Sequence, residues 1–469
     1  MVKTLQSRRL RRILFAYTVN RLGSWLGLVA LSLAVFDHTH SALSVAALLL
    51  AWQALPAFLV PAVVARAEAS RRRSVLSALY LFEGIATAAL AAAVWRFSLP
   101  AVLVLSVLDG TGALAANSLL RAQVARVARA SLADPDAMGA ASEPQQMLLP
   151  QAPASTEGNA AEPAQTAEQG RIDEHAQAAE RSANAALNIA FSVSFVTGPV
   201  IGGVVSATAG VPAALLIDVA TFLLCGALLL DLHAHVDEAR GESVAERLRT
   251  AWAHIDAAPS LRALLLVDTA AFLFIQAGGP IEVPLVKATL HGGDSSYGLF
   301  VTTWGAGAVV ASIVFARIPT RPLGVILCTA VGALGCAFVG FAAAPSVATA
   351  CIAAFVGGAG NGLYVPSIIS LVQRMTPPDL HGRLMGAVES LGALSVALGL
   401  PLGGALAALT SPRTAFATLG AATLVVTAVY VRLVLTSLEA SGKRAPDATP
   451  SPARGTLAAG LIHHDPPAE

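Results

Sequence analysis

Charged residues inside long apolar runs are the residues of this sequence best suited to chemistry. The runs also hold three uncharged polar residues, Gln53, Gln276 and Asn361. Six charged residues share these surroundings: Arg21, Glu83, Asp109, Asp218, Asp268 and Glu389. Charge is costly inside a membrane-spanning helix, so such residues face a cavity or pair with one another. They are therefore candidates for polar contacts with a ligand and for proton binding.

Two of the carboxylates are the first candidates for reversible proton binding. A carboxyl group in apolar surroundings binds its proton more tightly than in water, so it can exchange that proton near neutral pH. We expect Asp109 to take this role first and Asp268 second. The alternative is a structural ion pair, such as Arg21 with Glu83 or with Asp109. Asp218 is nearer the outer end of its run, where we expect contact with water.

The composition indicates which elements hold these residues. Hydrophobic residues make up 55% of the 469-residue chain and charged residues 13%, whereas a soluble domain carries about 25% charge. The outer surface must therefore face lipid. The continuous apolar runs are about 20 residues long, which suits helices that cross about 30 Å of hydrocarbon rather than the alternating strands of a barrel.

The sequence predicts an all-α membrane protein with twelve transmembrane helices. The predicted spans cover residues 13–36, 42–62, 74–95, 100–120, 184–206, 211–231, 261–281, 297–316, 323–343, 347–371, 384–408 and 414–436. Of the 30 lysines and arginines, only Arg96, Lys287 and Arg413 fall in loops on one side. Because positive charge favours the cytoplasmic side, both termini are predicted to be cytoplasmic, in the inner (plasma) membrane.

The segments between the spans divide the chain into six parts. Residues 132–182 and the C-terminal tail are rich in small and polar residues, a composition that buries too little apolar surface to fold. The predicted parts are an N-terminal bundle with helices 1–4 at 1–131, a disordered cytoplasmic insert at 132–182, helices 5–6 of the N-terminal bundle at 183–231, a cytoplasmic linker at 232–260, a C-terminal bundle with helices 7–12 at 261–437 and a disordered cytoplasmic tail at 438–469.

A motif of glycine and proline occurs once in each half of the chain. Gly198-Pro199-Val200-Ile201-Gly202-Gly203 lies in the fifth span, and Gly399-Leu400-Pro401-Leu402-Gly403-Gly404 lies in the fifth span of the second half. Small residues let helices approach closely in lipid. We therefore predict two pseudo-symmetric six-helix bundles around a central cavity, an architecture that recurs in transporters.

The first of these motifs, together with three further stretches, resembles the major facilitator superfamily. The resemblance is to its drug and siderophore exporter branch, the macrolide-efflux and enterobactin-exporter-like group. Asn20-Arg21-Leu22-Gly23-Ser24-Trp25 is similar to the first-helix motif of that branch. The most specific stretch is Thr376-Pro377-Pro378-Asp379-Leu380-His381-Gly382-Arg383-Leu384-Met385-Gly386, which is close to the loop before helix eleven.

The loop after the second span departs from the pattern of the family. Glu68 replaces an aspartate, and only the arginine pair Arg72 and Arg73 is kept. The resemblance implies that this loop and the glycine motifs control the change of conformation, and the alternatives are positive-inside anchoring and static packing. The implied conformational residues are Glu68, Arg72, Arg73, Gly198, Pro199, Gly202, Gly203, Asp379, Gly382 and Arg383.

The resemblance also implies where a ligand and a proton bind. Helices 1, 4, 7 and 10 of this fold line the central cavity, which favours Arg21, Asp109, Asp268, Gln276 and Asn361, with Glu83 as a further candidate. The implied function is secondary active transport by alternating access. Our leading hypothesis is proton-coupled efflux of a small amphipathic or hydrophobic molecule by an antiporter of the multidrug kind. The alternatives are a metabolite importer of the same fold and a transport-inactive membrane sensor.

Other classes of function have little support in the sequence. No G-x-x-x-x-G-K-[ST] phosphate loop occurs, and no metal-ligand or nucleophile–base pattern is visible. We therefore expect no enzyme, no metal, no nucleic-acid partner and no cofactor, with the proton gradient as the energy source. We expect a monomer in the lipid bilayer. Aromatic residues, at 6% of the chain, predict no aromatic cage.

Overall fold

The computed structural model of the chain describes residues 8–69, 75–130, 161–230, 244–317, 322–377 and 380–443. Within these ranges, twelve helices are long and apolar enough to cross a membrane. The predicted all-α membrane fold with twelve spans is confirmed. We call the face at which the first helix begins the inner face, and the opposite one the outer face.

The twelve helices follow one another with short connections, apart from the joins after the fourth and sixth. They are α1 (Arg8–Thr39), α2 (Ala42–Leu49, a π-helical turn at Leu50–Ala54, then Leu55–Ala69), α3 (Val75–Trp95), α4 (Leu99–Ala130), α5 (Ala161–Ala209), α6 (Val211–Leu228), α7 (Pro259–Pro284, then a π-helical turn at Leu285–Thr289), α8 (Asp294–Arg317), α9 (Leu323–Ala343), α10 (Val347–Arg374), α11 (His381–Leu409) and α12 (Pro412–Lys443). A linker helix, Val244–Ala257, lies between α6 and α7.

The two bundles pack by the same scheme. In the first bundle α1 packs against α5 and α6, and in the second α7 packs against α11 and α12. The glycine motifs make both contacts close: a Cβ on Gly202 would lie 2.8 Å from the Leu26 oxygen, and a Cβ on Gly403 would overlap the Ala277 oxygen. No hydrophobic force drives helices together in lipid, so their association depends on van der Waals contacts of this close kind.

The bundles meet along two equivalent contacts, α5 with α8 and α2 with α11. The last glycine of each motif lies there. A Cβ on Gly203 would lie 2.9 Å from Gly298 Cα, and a Cβ on Gly404 would lie 2.6 Å from Ala46 Cβ. The Thr302 hydroxyl also donates a hydrogen bond of 2.9 Å to the Val196 carbonyl across the α5–α8 contact.

The buried apolar clusters differ between the two faces. At the outer level one cluster contains residues of both bundles, including Val35 and Leu48 from the first and Ile281 and Phe341 from the second. At the inner level each bundle has a large cluster of its own. The described residues therefore join the bundles most firmly near the outer face.

Helix α7 continues beyond its predicted end at 281. Pro280 and Pro284 lie inside it, and a π-helical turn follows at Leu285–Thr289. Proline lacks an N–H and displaces the carbonyl four residues earlier, while a π turn shifts the pairing to the fifth residue. The Leu290 N–H accordingly bonds the Leu285 carbonyl at 2.9 Å. The span thus includes residues 282–289, which the sequence analysis left outside it.

The non-membrane segments differ in part from the expectation. Helix α5 begins at Ala161, inside the insert that we expected to be disordered through 182. Its first turns are rich in Ala, Glu and Gln, which are strong helix formers. Helix α12 likewise reaches Lys443, past the expected start of the tail at 438. Residues 131–160 and 444–469 lie outside the described residues, as does 231–243 of the linker.

Candidate functional site

A cavity of about 270 Å³ lies between the two bundles at mid-depth, near the lower end of the ~300–1,000 Å³ typical of small-molecule sites. Helices from both bundles line it. Its amide side chains are Gln53, Gln276 and Asn361. The sequence analysis named all three as polar candidates, and it favoured the last two for a central cavity.

Aromatic side chains form much of the cavity wall. Trp25 and Phe195 of the first bundle lie with ring centroids 4.5 Å apart, and Tyr297, Phe300 and Trp304 of α8 face them. The low aromatic content predicted no cage. The structure differs because helices from distant parts of the chain bring their few aromatic rings to one place.

Glu282 of α7 also lines this cavity, and the sequence analysis missed it. The signal was present: a glutamate in an apolar run beside two prolines. The predicted span ended at 281, one residue before Glu282, although proline in a membrane helix is tolerated where it is buried in protein. Within the described residues, Glu282 is the only ionisable carboxylate in the cavity wall, and no lysine or arginine lines it.

A second chamber of about 240 Å³ shares Gln53 with the central cavity and lies nearer the inner face. Arg21 and Trp52 line it, together with small residues of α4 and α11. The Arg21 guanidinium lies 5.5 Å from the centre of the Tyr17 ring, a cation–π distance. Arg21 therefore lies at the approach to the cavity rather than in its wall.

Asp109 lies beside this second chamber. The Thr87 hydroxyl donates to Asp109 Oδ1 at 2.7 Å, and Trp52 Nε1 donates to Asp109 Oδ2 at 3.2 Å. Trp52 belongs to the π-helical turn of α2, four residues before Pro56, which has no N–H to donate back to it. Gly110 of α4 packs against the Trp52 carbonyl. The turn thus holds the indole between Asp109 and the chamber.

Two further carboxylates are enclosed in the first bundle. Glu83 is 0% exposed, and within the described residues neither of its oxygens has a hydrogen-bond partner. Asp218 is 5% exposed, against the expectation of contact with water. Its Oδ1 accepts a hydrogen bond of 3.1 Å from Thr221. Helix α1 makes room for Asp218, since a Cβ on Gly27 would lie 2.5 Å from its Oδ2.

The alternative of an ion pair between Arg21 and Glu83 or Asp109 is not what the described residues form. Glu83 has no partner there, and Asp109 accepts from a hydroxyl and an indole. Asp109, Asp218 and Thr87 line one small space inside the first bundle, and none of the three lines the central cavity. Three carboxylates thus share the interior of one bundle with Arg21.

Asp268 lies in the second bundle in different surroundings. Its Oδ1 accepts hydrogen bonds from the hydroxyls of Tyr364, at 2.6 Å, and Tyr430, at 3.2 Å. It lines a crevice between α7, α10 and α11 rather than the central cavity. The resemblance favoured a cavity position for Asp268, and the two tyrosines explain why it faces inward to its own bundle.

An ion-pair cluster crosses the two bundles at the outer face. Lys287 Nζ lies 2.6 Å from Asp37 Oδ1 of α1 and 2.6 Å from Asp294 Oδ1 of α8. The sequence analysis placed Lys287 in an outer loop and assigned it no role. We call these three residues the outer seal, because they lie beyond Glu282 on the same side of the cavity.

Only some of the residues implied to control the change of conformation belong to the described part of the chain. Gly198, Pro199, Gly202 and Gly203 lie where α5 meets α1 and α8. Their role in motion stays a prediction. Gly382 and Arg383 lie in the first turn of α11. Arg72, Arg73 and Asp379 lie outside the described residues, and only the backbone of Glu68 is described.

Comparison with known proteins supports the architecture. A sequence profile described as Major Facilitator Superfamily matches residues 264–468. The nucleoside transporter NupG superposes with a TM-score of 0.66 at 11% identity, covering 91% of this chain and 99% of that one. The fold is that of the major facilitator transporters. No curated protein matches the sequence.

Two other solved structures with this major facilitator fold were captured in one conformation. A bacterial homologue of the iron transporter ferroportin, in an inward-facing state, gives a TM-score of 0.60 at 15% identity and covers 91% of this chain and 99% of that one. A bacterial homolog of the human lysosomal transporter Spinster, inward-facing and unoccupied, gives 0.59 at 13% identity and covers 93% and 98%. At these identities the likeness concerns the fold alone.

Proposed function

We propose that this chain is a secondary active transporter of the drug and siderophore exporter branch of the major facilitator superfamily. It exports a small amphipathic or hydrophobic molecule by alternating access, in exchange for protons. The observation that carries the proposal is the central cavity, which lies between two pseudo-symmetric bundles and is lined by helices of both. A site in that position is reached from either face when the bundles rock.

The outer face is the closed one in this conformation. The shared apolar cluster and the outer seal join the bundles there, whereas the inner level has separate clusters. Opening to the outside requires the α5–α8 and α2–α11 contacts to part near Gly203 and Gly404. Glycine in both contacts keeps the surfaces smooth, so that they separate without unlocking large side chains.

Proton coupling is proposed to run through Asp109. Its carboxylate accepts from Trp52, and Trp52 lies on the π-helical turn of α2, which packs against α11 of the other bundle. A proton on Asp109 removes the charge that holds the indole, because a charge-assisted hydrogen bond is about twice as strong as a neutral one. Release of the indole then changes the α2–α11 contact. Protonation and bundle movement are thereby linked.

The wall of the cavity supports the proposal of an amphipathic substrate. Aromatic rings offer apolar area, and three amides with one carboxylate offer a few polar contacts, as expected for a small-molecule site. The inner chamber gives access from the side that positive charge marks as cytoplasmic. We accordingly propose a position in the inner membrane with both termini in the cytoplasm, and a monomer as the working unit.

Efflux of fluorescent amphipathic dyes from energised cells tests this function. Cells carrying the intact chain should lose dye at least fivefold faster than cells without it, and a protonophore should abolish the difference. Asp109→Asn should abolish it as well, with equal protein in the membrane. Glu246→Gln is the matched control, because it removes a carboxylate that is about half exposed on the linker helix.

The outcome separates the three hypotheses. Dye that accumulates faster in cells with the intact chain would mean import. If the correctly inserted protein moves neither dyes nor any member of a metabolite panel in either direction, the transporter hypothesis is refuted. The membrane-sensor hypothesis then remains. Efflux that survives Asp109→Asn but stops with the protonophore would keep the antiporter and move the coupling site to another carboxylate.

A further inference from the structure

We propose that the central cavity selects lipophilic organic cations, with Glu282 as the residue that binds the positive charge. This inference rests on the proposed transport function and names the class of molecule that the cavity accepts. It is carried by two features of the cavity wall, a single carboxylate without a cationic partner and an aromatic lining on both bundles.

The carboxylate of Glu282 has no compensating charge. In the described residues it forms neither a hydrogen bond nor an ion pair, and the wall around it contains no lysine or arginine. The nearest cation on the same helix is Lys287, which already binds both Asp37 and Asp294. An ionised carboxylate taken out of water is costly unless a cation pairs with it. A cationic ligand supplies that pair.

The aromatic side chains add a second source of attraction for a cation. Trp25 and Phe195 approach from the first bundle, and Tyr297, Phe300 and Trp304 from α8. A cation over the face of such rings gains roughly 0.5–2 kcal/mol, most strongly with tryptophan. The same rings bury apolar substituents of the ligand. A ligand that carries both a positive charge and apolar substituents therefore suits the wall better than a ligand with only one of these properties.

Among the described residues, Arg21 is the cation that lines the inner chamber next to this site. It lines the inner chamber, and Gln53 lies between that chamber and the central cavity. Its guanidinium lies over the Tyr17 ring, and Glu83, Asp109 and Asp218 occupy the same bundle. Three carboxylates outnumber the arginine there. Arg21 lines the inner chamber and not the central cavity, so it is not a binding group of the cavity wall.

Binding of two ions of the same shape and opposite charge tests the proposal. Equilibrium dialysis of the purified full chain in lipid nanodiscs, with empty nanodiscs as the baseline, measures the affinity for tetraphenylphosphonium and for tetraphenylborate. We expect the cation to bind at least tenfold more tightly than the anion. Glu282→Gln should weaken the cation at least tenfold and reduce the preference below threefold. Glu246→Gln, the exposed control, should leave both affinities unchanged.

The proposal is overturned if the anion binds the unaltered chain as tightly as the cation, or if Glu282→Gln leaves cation affinity unchanged. The comparison of the two ions on the unaltered chain remains decisive if the variant does not insert. Binding needs no transport, so the two proposals fail separately. Dye efflux without cation preference overturns the substrate class alone. Cation binding that depends on Glu282 in a chain that moves no solute overturns the transport function alone.

Discussion

The two bundles share one packing scheme and hold different polar residues. Gly202 against α1 and Gly403 against α7 are equivalent contacts, and Gly203 and Gly404 are equivalent contacts between the bundles. The first bundle buries Glu83 and Asp218 and holds Asp109 and Arg21 beside the inner chamber. In the second bundle, two tyrosine hydroxyls donate hydrogen bonds to Asp268, and Glu282 lines the central cavity.

The difference between the bundles suggests that one serves proton binding and the other serves contact with the solute. Carboxylates inside a bundle and away from the central cavity suit the binding and release of protons, because they are shielded from the solute. A carboxylate in the wall of the central cavity suits contact with the solute. On the proposed function, movement would depend on small residues at fixed positions in both bundles. Proton coupling would use polar groups of the first bundle, and recognition of the solute would use those of the second.

The largest effect is expected where the bundles are alike. Gly202→Leu and Gly403→Leu place a side chain against the backbone oxygens of Leu26 and Ala277, which no rotamer change can move. Overpacking a tight contact costs about 1–3 kcal/mol or more, so both variants should lose most of their folded yield. Size-exclusion chromatography and thermal unfolding in detergent measure this.

The control for these variants is Gly386→Leu, because nothing lies within 4 Å of a Cβ at that glycine of α11. It should keep at least half of the yield. If one of the two tight positions tolerated leucine while the other did not, the bundles would not share the packing scheme, and the comparison would fail at its first step.

The next effect should separate the bundles. Asp109→Asn should reduce proton-driven efflux at least tenfold, whereas Asp268→Asn should reduce it less than threefold. An asparagine at 268 keeps an oxygen that accepts from Tyr364 and Tyr430, so its local structure survives without the charge. Initial rates of dye efflux at equal protein level measure both. Equal loss in the two variants would place proton transfer in both bundles.

Several features of this comparison were predictable from the sequence, because they depend on local composition. Runs of about 20 apolar residues identified all twelve spans, and the repeated glycine motif identified the doubling. Gln276 and Asn361 were assigned to the cavity from the order of helices in the resembled fold. These inferences need only periodicity, length and register.

Other features depend on contacts between distant helices, which a single sequence does not specify. Asp218 is buried because Gly23 and Gly27 of α1 make room for it, and nothing near Asp218 in the sequence indicates this. The aromatic rings of the cavity come from α1, α5 and α8. Glu282 was missed because the predicted span ended at 281, whereas the helix continues past Pro284 into a π-helical turn.

A moderate effect is expected at the outer seal, where the bundles touch through charge. Lys287→Gln leaves Asp37 and Asp294 facing each other without a cation, so the outward-open state should gain population. A cysteine at Ser32 in the cavity wall, in a background without other cysteines, should react at least threefold faster with an impermeant maleimide added outside.

The control is Arg413→Gln, since Arg413 bonds the Ala342 carbonyl within the second bundle and does not cross to the first. Its reactivity should match the unaltered background. The charge exchange Asp37→Lys with Lys287→Asp should restore slow labelling. If labelling stayed slow in Lys287→Gln, the shared apolar cluster alone would keep the outer face closed.

The smallest effect is expected at the two tyrosines that distinguish Asp268 from Asp109. Tyr364→Phe removes a hydrogen bond of 2.6 Å to Asp268, and Tyr430→Phe removes one of 3.2 Å to the same oxygen. Hydrogen bonds to a charged group contribute about 1.5–3 kcal/mol, and the longer one less. Because each single variant leaves one donor, both should lower the thermal midpoint by a few degrees, with Tyr364→Phe the more affected.

The double variant Tyr364→Phe with Tyr430→Phe sharpens the point. It leaves Asp268 without either hydroxyl, as Glu83 is left without a partner in the first bundle. We expect a loss of stability greater than the sum of the single variants, because the second donor compensates for the first. Asp268→Asn can then be added to the double variant. If it now lowers efflux, the two hydroxyl donors, and not the position of Asp268 in the second bundle, keep this carboxylate from exchanging protons. A purely additive loss of stability, with efflux unchanged, would mean that position in the bundle decides the role of the carboxylate.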